Sequence, residues 1–340
     1  MAAKPLRVLA AGHDFKFFEG LQAALEETGR FRFRRDAWTG HDKHDEQASR
    51  ELLGWADVIF CEWCLGNAVW YAQHRRPRQR LLIRFHLAER NTPFPARLAL
   101  DRVDRVAFVG AHIEREAHQR LGLPPEKTCV VPNLVDTRAF DRPKYEGSVF
   151  NLGMVGIVPM RKRIDRALDI LEALKQRDER YCLHIKGAHP SRYPWVWSKE
   201  EERAYYRSVW ERINTSPWGN SVVFDPPGND VAEWFRMVGV LLSMSDFESF
   251  HLAVGEGMSS GTLPVVWNWE GAAEIWPESC VVASVDEAVA QIDGWRGELN
   301  GSAGCSWLRR FVSDRYGRER VRDMWTELLD GGARGEGRTR

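Results

Sequence analysis

Two glutamates stand eight positions apart in the stretch SMSDFESFHLAVGEGMSSGTLPVV, which spans residues 243–266. Glu248 follows a short apolar run that is typical of a buried strand, and Glu256 falls within the helix predicted next, over residues 250–261. The two carboxylates would therefore lie near a helix start, at the carboxyl end of a strand. From these places they could reach different parts of one ligand.

The predicted helix start has the chemistry of an anion site. The first backbone N–H groups of a helix, here those of Phe250, His251 and Leu252, lack partners inside the helix and attract phosphate. A carboxylate accepts two hydrogen bonds side by side, so Glu256 suits the vicinal hydroxyls of a ribose and Glu248 those of a second sugar. A phosphate between two sugars describes a nucleotide sugar. Judged by their spacing alone, the simpler interpretation is that such glutamates cap the helix and lie on its solvent-exposed face.

Strand-like and helix-like segments alternate along the chain. Apolar runs such as LRVLAAG and RLLIRFHLAE are separated by segments of helical period such as KRIDRALDILEALKQR. This alternation predicts an α/β fold with parallel, doubly wound sheets. A stretch rich in turn formers, FDRPKYEGS, separates two halves of similar size. Ligands of such sheets bind outside the carboxyl ends of the strands, so we expect two Rossmann-like domains facing a central cleft.

The division gives four expected parts of the chain. We predict a first, acceptor-side domain over residues 1–143 and a second, nucleotide-sugar-binding domain over residues 148–305. Two late helices over residues 306–330 would cross back to the first domain. Residues 331–340, GGARGEGRTR, would be disordered. Within the second domain, residues 188–219 form an aromatic-rich insertion around a helix, for which packing is the simplest interpretation.

The composition argues against some classes of protein. The chain has 340 residues with 48 Lys+Arg and 48 Asp+Glu, and this zero formal charge argues against a nucleic-acid binder. Residues 1–145 hold 24 Lys+Arg and 19 Asp+Glu, a mild basic excess that would suit an anionic membrane or a phosphate-bearing substrate. No apolar run reaches the ~20 residues that span a bilayer, and the N-terminal run is too short for a signal peptide. We expect a cytoplasmic protein, with peripheral association at the inner face of the membrane as an open option.

The sequence shows no fixed spacing of metal ligands. The polar run GHDKHDEQ lacks such spacing, no Asp-x-Asp follows a strand, and Cys61 and Cys64 form a lone CxxC that strand burial explains better. A helix start and basic side chains can neutralise a diphosphate without metal. We therefore expect no metal and no cofactor, the nucleotide-diphosphate sugar being a co-substrate.

The glutamate pair and its surroundings carry a family resemblance. DFESFHLAVGEGMSSGTLPVV, followed by EGAAEIW, resembles the signature of retaining glycosyltransferases of the GT-B fold, family 4. That signature is a glutamate, seven residues, a second glutamate, a small-residue turn, Pro-Val-Val and Gly-x-x-Glu. Its elements correspond here to Glu248, Glu256, Gly261, residues 264–266 and residues 271–274. The resemblance covers residues 5–330 and implies transfer of a sugar from a nucleotide sugar with retention of configuration.

The resemblance also implies roles for residues outside the signature. VGIVPMRKRIDRALDILEAL is similar to the family's Gly-Arg-x-x-x-x-Lys stretch, in which Lys162 takes the place of the lysine that holds the donor diphosphate. IRFH resembles the strand that delivers a histidine, here His86, toward the donor sugar. AAGHDFKFFEGLQAALEETG resembles the opening glycine loop, which places Gly12 among the donor-binding residues. Glu248, Lys162 and His86 would thus be catalytic, though His86 would not act as a general base, because the leaving phosphate can take the acceptor proton.

The chain departs from the family's pattern at two places. The arginine that follows the glycine is Ile157 here, so Arg161 or Arg163 would supply the second positive charge. The usual Glu-Gly-Phe-Gly ends in His251 instead of glycine, which would narrow the pocket near the donor sugar. Two further stretches, CEWCLGNAVWY and YPWVWSKEEERAYY, resemble glycosyltransferase modules of bacterial surface-polysaccharide synthesis.

The leading hypothesis is a metal-independent, hexosyltransferase-like enzyme with a glycan, lipid-linked or small-molecule acceptor. One alternative is a sugar-nucleotide epimerase of similar fold, which would isomerise the donor without releasing nucleotide. Another is a non-catalytic subunit that binds a nucleotide sugar within a polysaccharide-synthesising complex.

Overall fold

The computed structural model describes residues 4–299 and 306–331, which form two compact units. One unit is built from the described residues up to Leu134 together with those from Arg315 onward, and the other from residues 135–314. Each unit contains a six-stranded parallel sheet with helices packed on it. The predicted α/β class with two doubly wound halves is therefore confirmed. The tail expected to be disordered lies, after Gly331, outside the described residues.

The sheet of the first unit has the order β2-β1-β3-β4-β5-β6, and all its strand pairs are parallel. Its strands are β1 (Leu6–Gly12), β2 (Phe31–Ala37), β3 (Val58–Glu62), β4 (Arg80–Phe85), β5 (Arg105–Phe108) and β6 (Thr128–Val130). Its helices are α1 (Glu19–Glu26), α2 (Glu46–Trp55), α3 (Gly66–His74), α4 (Ala111–Leu121) and, from the end of the chain, α14 (Arg318–Asp330).

Helix α14 is an integral part of the first unit. Trp325 is fully buried there, and its ring lies 4.9 Å from that of Phe60 on β3, centroid to centroid. The Arg80 guanidinium donates to the Leu328 and Leu329 carbonyls at 2.7 and 2.8 Å, which satisfies free carbonyl groups at the end of the helix. The last helix therefore completes the core of a unit whose other elements are more than 180 residues earlier in the sequence.

The sheet of the second unit has the order β12-β11-β10-β7-β8-β9, again with every strand pair parallel. Its strands are β7 (Asn151–Val155), β8 (Cys182–Lys186), β9 (Val222–Asp225), β10 (Val240–Ser243), β11 (Leu263–Trp267) and β12 (Val281–Val282). Its helices are α5 (Thr137–Phe140), α6 (Ile164–Lys175), α7 (Pro194–Trp197), α8 (Glu200–Thr215), α9 (Val231–Trp234), α10 (Leu252–Ser259), α11 (Ala272–Ile275), α12 (Val285–Leu299) and most of α13 (Ser306–Tyr316).

The spacing of hydrophobic residues explains why some helices are evident from the sequence and others are not. As the helical period of KRIDRALDILEALKQR predicts, α6 has one apolar face, whose residues are all fully buried: Ile164, Ala167, Leu168, Leu171 and Leu174. Helix α3 was not predicted, because it is buried on nearly all sides and so lacks an amphipathic stripe. Among the described residues, no helix combines the length and the apolar character needed to cross a membrane.

Candidate functional site

A basic loop follows the central strand β7 of the second unit. The chain turns at Gly156, passes through a 3-10 turn over Met160–Lys162 and enters α6 at Arg163, whose backbone is left-handed with φ 55°. Lys162 Nζ lies 2.5 Å from Glu248 Oε1. Because β7 and β10 are neighbours in the sheet, the two loops that follow them meet at its carboxyl edge. Lys162 and Glu248, 86 positions apart in sequence, are paired in this way.

Glu248 is an ionised, nearly buried carboxylate. Its Oε1 also accepts from Ser245 Oγ at 2.7 Å and lies 3.5 Å from Arg161 Nη1. Burial alone would raise the pKa of Glu248, but the neighbouring charge of Lys162, with smaller effects of His251 and Arg161, outweighs it and sets the pKa at about 2. A negative charge is therefore fixed beside two cations at the end of the strand.

The third basic residue of the loop points to other partners. Arg163 Nε donates to Asp165 Oδ1 at 2.9 Å, and its Nη1 donates to Asp246 Oδ1 at 3.0 Å. Of the two arginines that the sequence offered as the second positive charge, the structure places Arg161 beside Glu248 and pairs Arg163 with these aspartates.

Helix α10 begins two residues later than predicted. It starts at Leu252, because His251 has φ 62° and ψ 74°, a left-handed conformation that cannot continue a right-handed helix. Phe250 precedes the helix, is buried, and its carbonyl accepts a hydrogen bond from Trp276 Nε1 at 3.1 Å. The N–H of Phe250 is therefore not part of the helix start, whereas Leu252 is its first residue.

The second glutamate differs from the first in its surroundings. Glu256 lies in the second turn of α10 and is half-buried. Within the described ranges, no group donates a hydrogen bond to its carboxylate, and burial raises the pKa of Glu256 to about 7. Such a carboxyl group can gain hydrogen bonds from a ligand that carries hydroxyl groups.

The aromatic insertion braces the basic loop. From α8, Tyr206 Oη donates to the Ile157 carbonyl at 2.5 Å, and Glu202 Oε2 accepts from the Met160 backbone N–H at 2.8 Å. Tyr205 Oη donates to Asp165 Oδ1 at 2.7 Å. Three side chains of one helix thus form hydrogen bonds with residues on both sides of Lys162. The sequence predicted a helix in this aromatic-rich insertion but did not indicate these contacts.

A cavity of about 610 Å³ opens at the carboxyl ends of β7, β8 and β9. Its walls are mainly apolar and include Ile157, Trp210, Ile213, Phe224 and Pro226. Ile157 belongs to the same loop as Lys162, so the cavity and the Lys162–Glu248 pair share the carboxyl edge of one sheet. The cavity can accept a flat apolar group such as a nucleobase.

The remaining predicted residues lie in the first unit. Gly12 ends β1, and a Cβ atom there would come within 2.9 Å of the Glu62 carbonyl oxygen, so close packing of two strands requires glycine. His86 is buried after β4, where its Nε2 lies 3.0 Å from Glu62 Oε1 and its backbone N–H donates to Glu89 Oε1 at 3.0 Å. Phe17 stacks on the imidazole at 5.0 Å between ring centroids.

Metal-ligating side chains do not cluster in the part of the chain that the structure describes: it contains no group of three or more His, Cys, Asp or Glu side chains arranged to hold an ion. Cys61 and Cys64 are both buried and free, and burial raises the pKa of each thiol.

The second unit carries a family match. Residues 149–293 match the family described as glycosyl transferases group 1. This segment contains the basic loop, the cavity, Glu248 and Glu256. The comparison with curated proteins gives no match.

The whole chain has the fold of known glycosyltransferases. HepE of Anabaena, solved in complex with UDP and glucose, is 14% identical over 96% of this chain and 99% of its own, with a TM-score of 0.67. A glycosyltransferase from Rickettsia africae is 12% identical over 98% of this chain and 100% of its own, with a TM-score of 0.73. Sucrose-phosphate synthase from Thermosynechococcus elongatus is 13% identical over 96% and 98%, with a TM-score of 0.69. At these identities the likeness establishes the fold, which is that of the GT-B glycosyltransferases.

Proposed function

We propose that the protein is a retaining glycosyltransferase that uses a nucleotide-diphosphate sugar as its donor. The observation that carries this proposal is the Lys162–Glu248 pair, 2.5 Å apart beside the start of α10. One turn further along lies the carboxyl group of Glu256, which accepts no hydrogen bond from the residues that the structure describes. Cations and a helix start suit a diphosphate, and carboxylates suit sugar hydroxyls. The family match of residues 149–293 supports the same assignment.

The donor binds along the carboxyl edge of the second sheet. The diphosphate lies at the start of α10, where Lys162 and Arg161 neutralise it. Glu256 accepts hydrogen bonds from the ribose hydroxyls, and Glu248 accepts them from the transferred sugar. The nucleobase enters the 610 Å³ cavity, whose apolar walls suit a flat ring. UDP in the Anabaena HepE complex supports a nucleotide as the ligand class.

The chemistry requires stabilisation of charge more than proton transfer from the enzyme. As the sugar–phosphate bond breaks, negative charge grows on the diphosphate and positive charge on the sugar carbon. Lys162 stabilises the former and Glu248 the latter, and both groups are already in place before reaction. The leaving phosphate takes the acceptor proton, so transfer proceeds on one face of the sugar without a protein base or a metal ion.

The acceptor is assigned to the first unit, with His86 among the residues that place it. We propose a glycan, lipid-linked or small-molecule acceptor in bacterial polysaccharide or glycoconjugate synthesis, at the cytoplasmic side of the membrane. The resemblance of CEWCLGNAVWY and YPWVWSKEEERAYY to modules of such pathways supports this assignment.

A thermal-shift screen tests the proposal. The nucleoside diphosphate of each base, and its sugar conjugates, are added to the protein in turn. A ligand at a hundred times its Kd stabilises the fold by ~2.7 kcal/mol. We expect a clear rise in the unfolding midpoint for one base, and release of that nucleoside diphosphate when an acceptor mixture is supplied. No shift with any of them would contradict the proposal. An isomerised donor without free nucleotide would identify an epimerase, and tight binding without turnover on any acceptor would identify a non-catalytic subunit.

A further inference from the structure

Basic and aromatic side chains meet at the carboxyl edge of the first sheet. The loops after β1, β2 and β3, three neighbouring strands, supply His13, His41 and Trp63 in that order. The His13 ring lies 5.0 Å from that of His41 and 5.5 Å from that of Trp63, centroid to centroid. Lys16, from the same loop as His13, places its Nζ 5.6 Å from the centre of the Trp63 ring. Two imidazoles and one ammonium group, here called the histidine–lysine cluster, therefore lie together beside one indole.

The backbone that carries the cluster is held by bonds between the loops. Trp63 has φ 75°, a left-handed conformation that is strained for a residue with a Cβ. Its Nε1 donates to the Asp14 carbonyl at 2.8 Å, which ties the loop after β3 to the loop after β1. In the loop after β2, the His41 carbonyl accepts from the Gly66 N–H at 2.9 Å. The three loops are thus fixed before a ligand arrives.

The cluster is accessible, whereas the indole beside it is buried. The Lys16 side chain is 59% exposed, His41 is exposed and His13 is half-buried. A ligand in solution can therefore reach all three basic groups.

The charges around His13 favour an anionic ligand. Burial lowers the pKa of His13, and the nearby His41 and Lys16 lower it further, whereas Asp14 and Glu62 act in the opposite direction. Asp14 Oδ2 already lies 3.1 Å from Lys16 Nζ, and Glu62 belongs to a fully buried ion pair. Both carboxylates thus have cations of their own. An anion bound at the cluster would relieve the repulsion between the two imidazoles.

The donor groups of the cluster suit a phosphate better than a carboxylate. Imidazole and ammonium groups offer N–H donors from separate positions, whereas the planar fork of an arginine matches the two oxygens of a carboxylate. A phosphate group has three strong acceptor oxygens, one for each group of the cluster.

We propose that His13, His41 and Lys16 bind a phosphate group carried by the acceptor. The link to the acceptor rests on the proposed function, which assigns that substrate to the first unit. His86, assigned above to placing the acceptor, has its ring 4.2 Å from that of Trp63, centroid to centroid. The cluster and His86 border the same indole, so one acceptor molecule can contact both. The acceptor class is a phosphate-bearing one, either a sugar phosphate in solution or a phospholipid.

Magnetic resonance of the wild-type protein with labelled histidine rings tests the proposal. The ring pKa values are measured in inorganic phosphate and in sodium chloride of equal ionic strength, which keeps screening constant. Bound phosphate should raise the pKa of His13 and of His41 by about 0.5 or more, because a nearby negative charge favours the protonated ring. His118 on α4 is the control and should not respond. Equal pKa values of His13 and His41 in the two salts would overturn the inference.

Two variants separate this cluster from the proposed donor site. Lys16→Gln removes the charge of an exposed side chain, so half of the histidine response should require about threefold more phosphate. Lys162→Ala, in the second unit, should leave the response of His13 and His41 as it is in the wild type. A response that is lost in Lys162→Ala and kept in Lys16→Gln would assign the phosphate to the donor site and refute the inference.

A panel of compounds identifies the ligand class. Glucose 6-phosphate should reproduce the response to inorganic phosphate, whereas glucose should not, and an equal response to glucuronate would contradict selectivity for phosphate. Binding to phosphatidylcholine vesicles that contain phosphatidic acid, weakened in Lys16→Gln, would instead indicate a phospholipid as the source of the phosphate. Failure of both the sugar phosphate and these vesicles to bind would overturn the inference.

These measurements need neither a donor nor turnover, so the two proposals can fail separately. A protein that binds no nucleoside diphosphate but shows the histidine response would defeat the proposed function and keep the phosphate site. A protein that binds a nucleoside diphosphate while His13 and His41 ignore phosphate would defeat this inference alone.

Discussion

At the scale of single residues, two glutamates eight positions apart have pKa values shifted in opposite directions. Glu248 is paired with Lys162 and its pKa is lowered to about 2, whereas burial raises the pKa of Glu256 to about 7. The two side chains of one motif thus differ because cations lie beside one, whereas only burial acts on the pKa of the other. The separate roles proposed for the two groups rest on this difference.

Replacing Lys162 by alanine should reduce turnover by about 100-fold, because the charge on the leaving diphosphate would lose its nearest compensating cation. Steady-state release of nucleoside diphosphate measures this. Lys175→Ala, at the other end of α6, is the matched control and should keep wild-type turnover. A Lys162 variant within a few-fold of wild type would mean that another group performs this role.

The two glutamate variants should fail in different ways. Glu256→Gln should weaken binding of the free nucleoside diphosphate about tenfold, which corresponds to ~1.4 kcal/mol. Glu248→Ala should leave that affinity nearly intact and lower turnover strongly, because its contacts matter most as charge grows on the sugar. Titration calorimetry and turnover on the same preparations provide the comparison, and equal losses of nucleotide affinity would refute this division of roles.

The two carboxyl groups should also affect stability in different pH ranges. For Glu256 the folded-state pKa of about 7 exceeds the ordinary 4.5, so the folded state binds the proton more tightly and stability falls as the pH rises between these values. For Glu248 the folded-state pKa is lower, so its contribution is present above 4.5 and is lost toward pH 2. The free energy of unfolding, measured with urea, should fall between pH 5 and pH 8 in the wild type. In Glu256→Gln this fall should be smaller by about 2 kcal/mol. If the free energy of unfolding depends on pH in the same way in the two proteins, the pKa of Glu256 is not raised.

At the scale of elements, the basic loop after β7 depends on a helix that lies outside it. Tyr206, Tyr205 and Glu202 of α8 bond to both sides of the loop that carries Lys162. The aromatic insertion therefore positions the basic loop that carries Lys162 as well as packing against the core. These hydrogen bonds give the tyrosines of the insertion a role that aromatic packing alone does not explain.

Tyr206→Phe should loosen this loop. The change leaves the Ile157 carbonyl without its donor, at a cost of ~1–2 kcal/mol in stability, and we expect turnover to fall several-fold. Tyr193→Phe is the control, since its hydroxyl has no hydrogen-bond partner in the described part of the chain. Chemical denaturation and initial rates test the pair. Full activity in the Tyr206 variant would show that the loop keeps its shape without this bond.

At the scale of the whole molecule, both units use one plan, a six-stranded parallel sheet whose strands point their carboxyl ends to one edge. The second unit brings Lys162, Arg161 and Glu248 together at that edge, and the first completes its core with α14 from the end of the chain. The family match covers residues 149–293 only, whereas the likeness in fold to solved glycosyltransferases spans nearly all of the chain.

Excess chelator should leave turnover nearly unchanged. In the proposed mechanism, Lys162, Arg161 and the start of α10 supply the positive charge that stabilises the diphosphate, so we expect turnover without a divalent ion. Rates before and after treatment with EDTA, and after adding magnesium or manganese, test this expectation. Loss of activity that either metal restores would require a metal in the mechanism.

Local sequence patterns were enough to predict the α/β class and the helical period of α6, and they indicated a candidate anion site around Glu248 and Glu256. These predictions follow from the spacing of hydrophobic residues within short segments and from the chemistry of residues that are close together in the sequence. Helix α3 was missed because burial on nearly all sides removes the period that marks a surface helix. The start of α10 was placed two residues too early because nothing in the local pattern indicates the left-handed backbone of His251.

Which side chains meet in the site follows from the packing of the folded chain. It paired Lys162 with Glu248 across 86 positions, placed Arg161 beside them and gave Arg163 to Asp165 and Asp246. Neighbouring strands in a parallel sheet come from distant parts of the chain, so the loops that form one site share no local pattern. The contrast between the pKa values of Glu248 and Glu256 has the same origin, because burial and nearby charges are properties of the packed unit and not of the residue type.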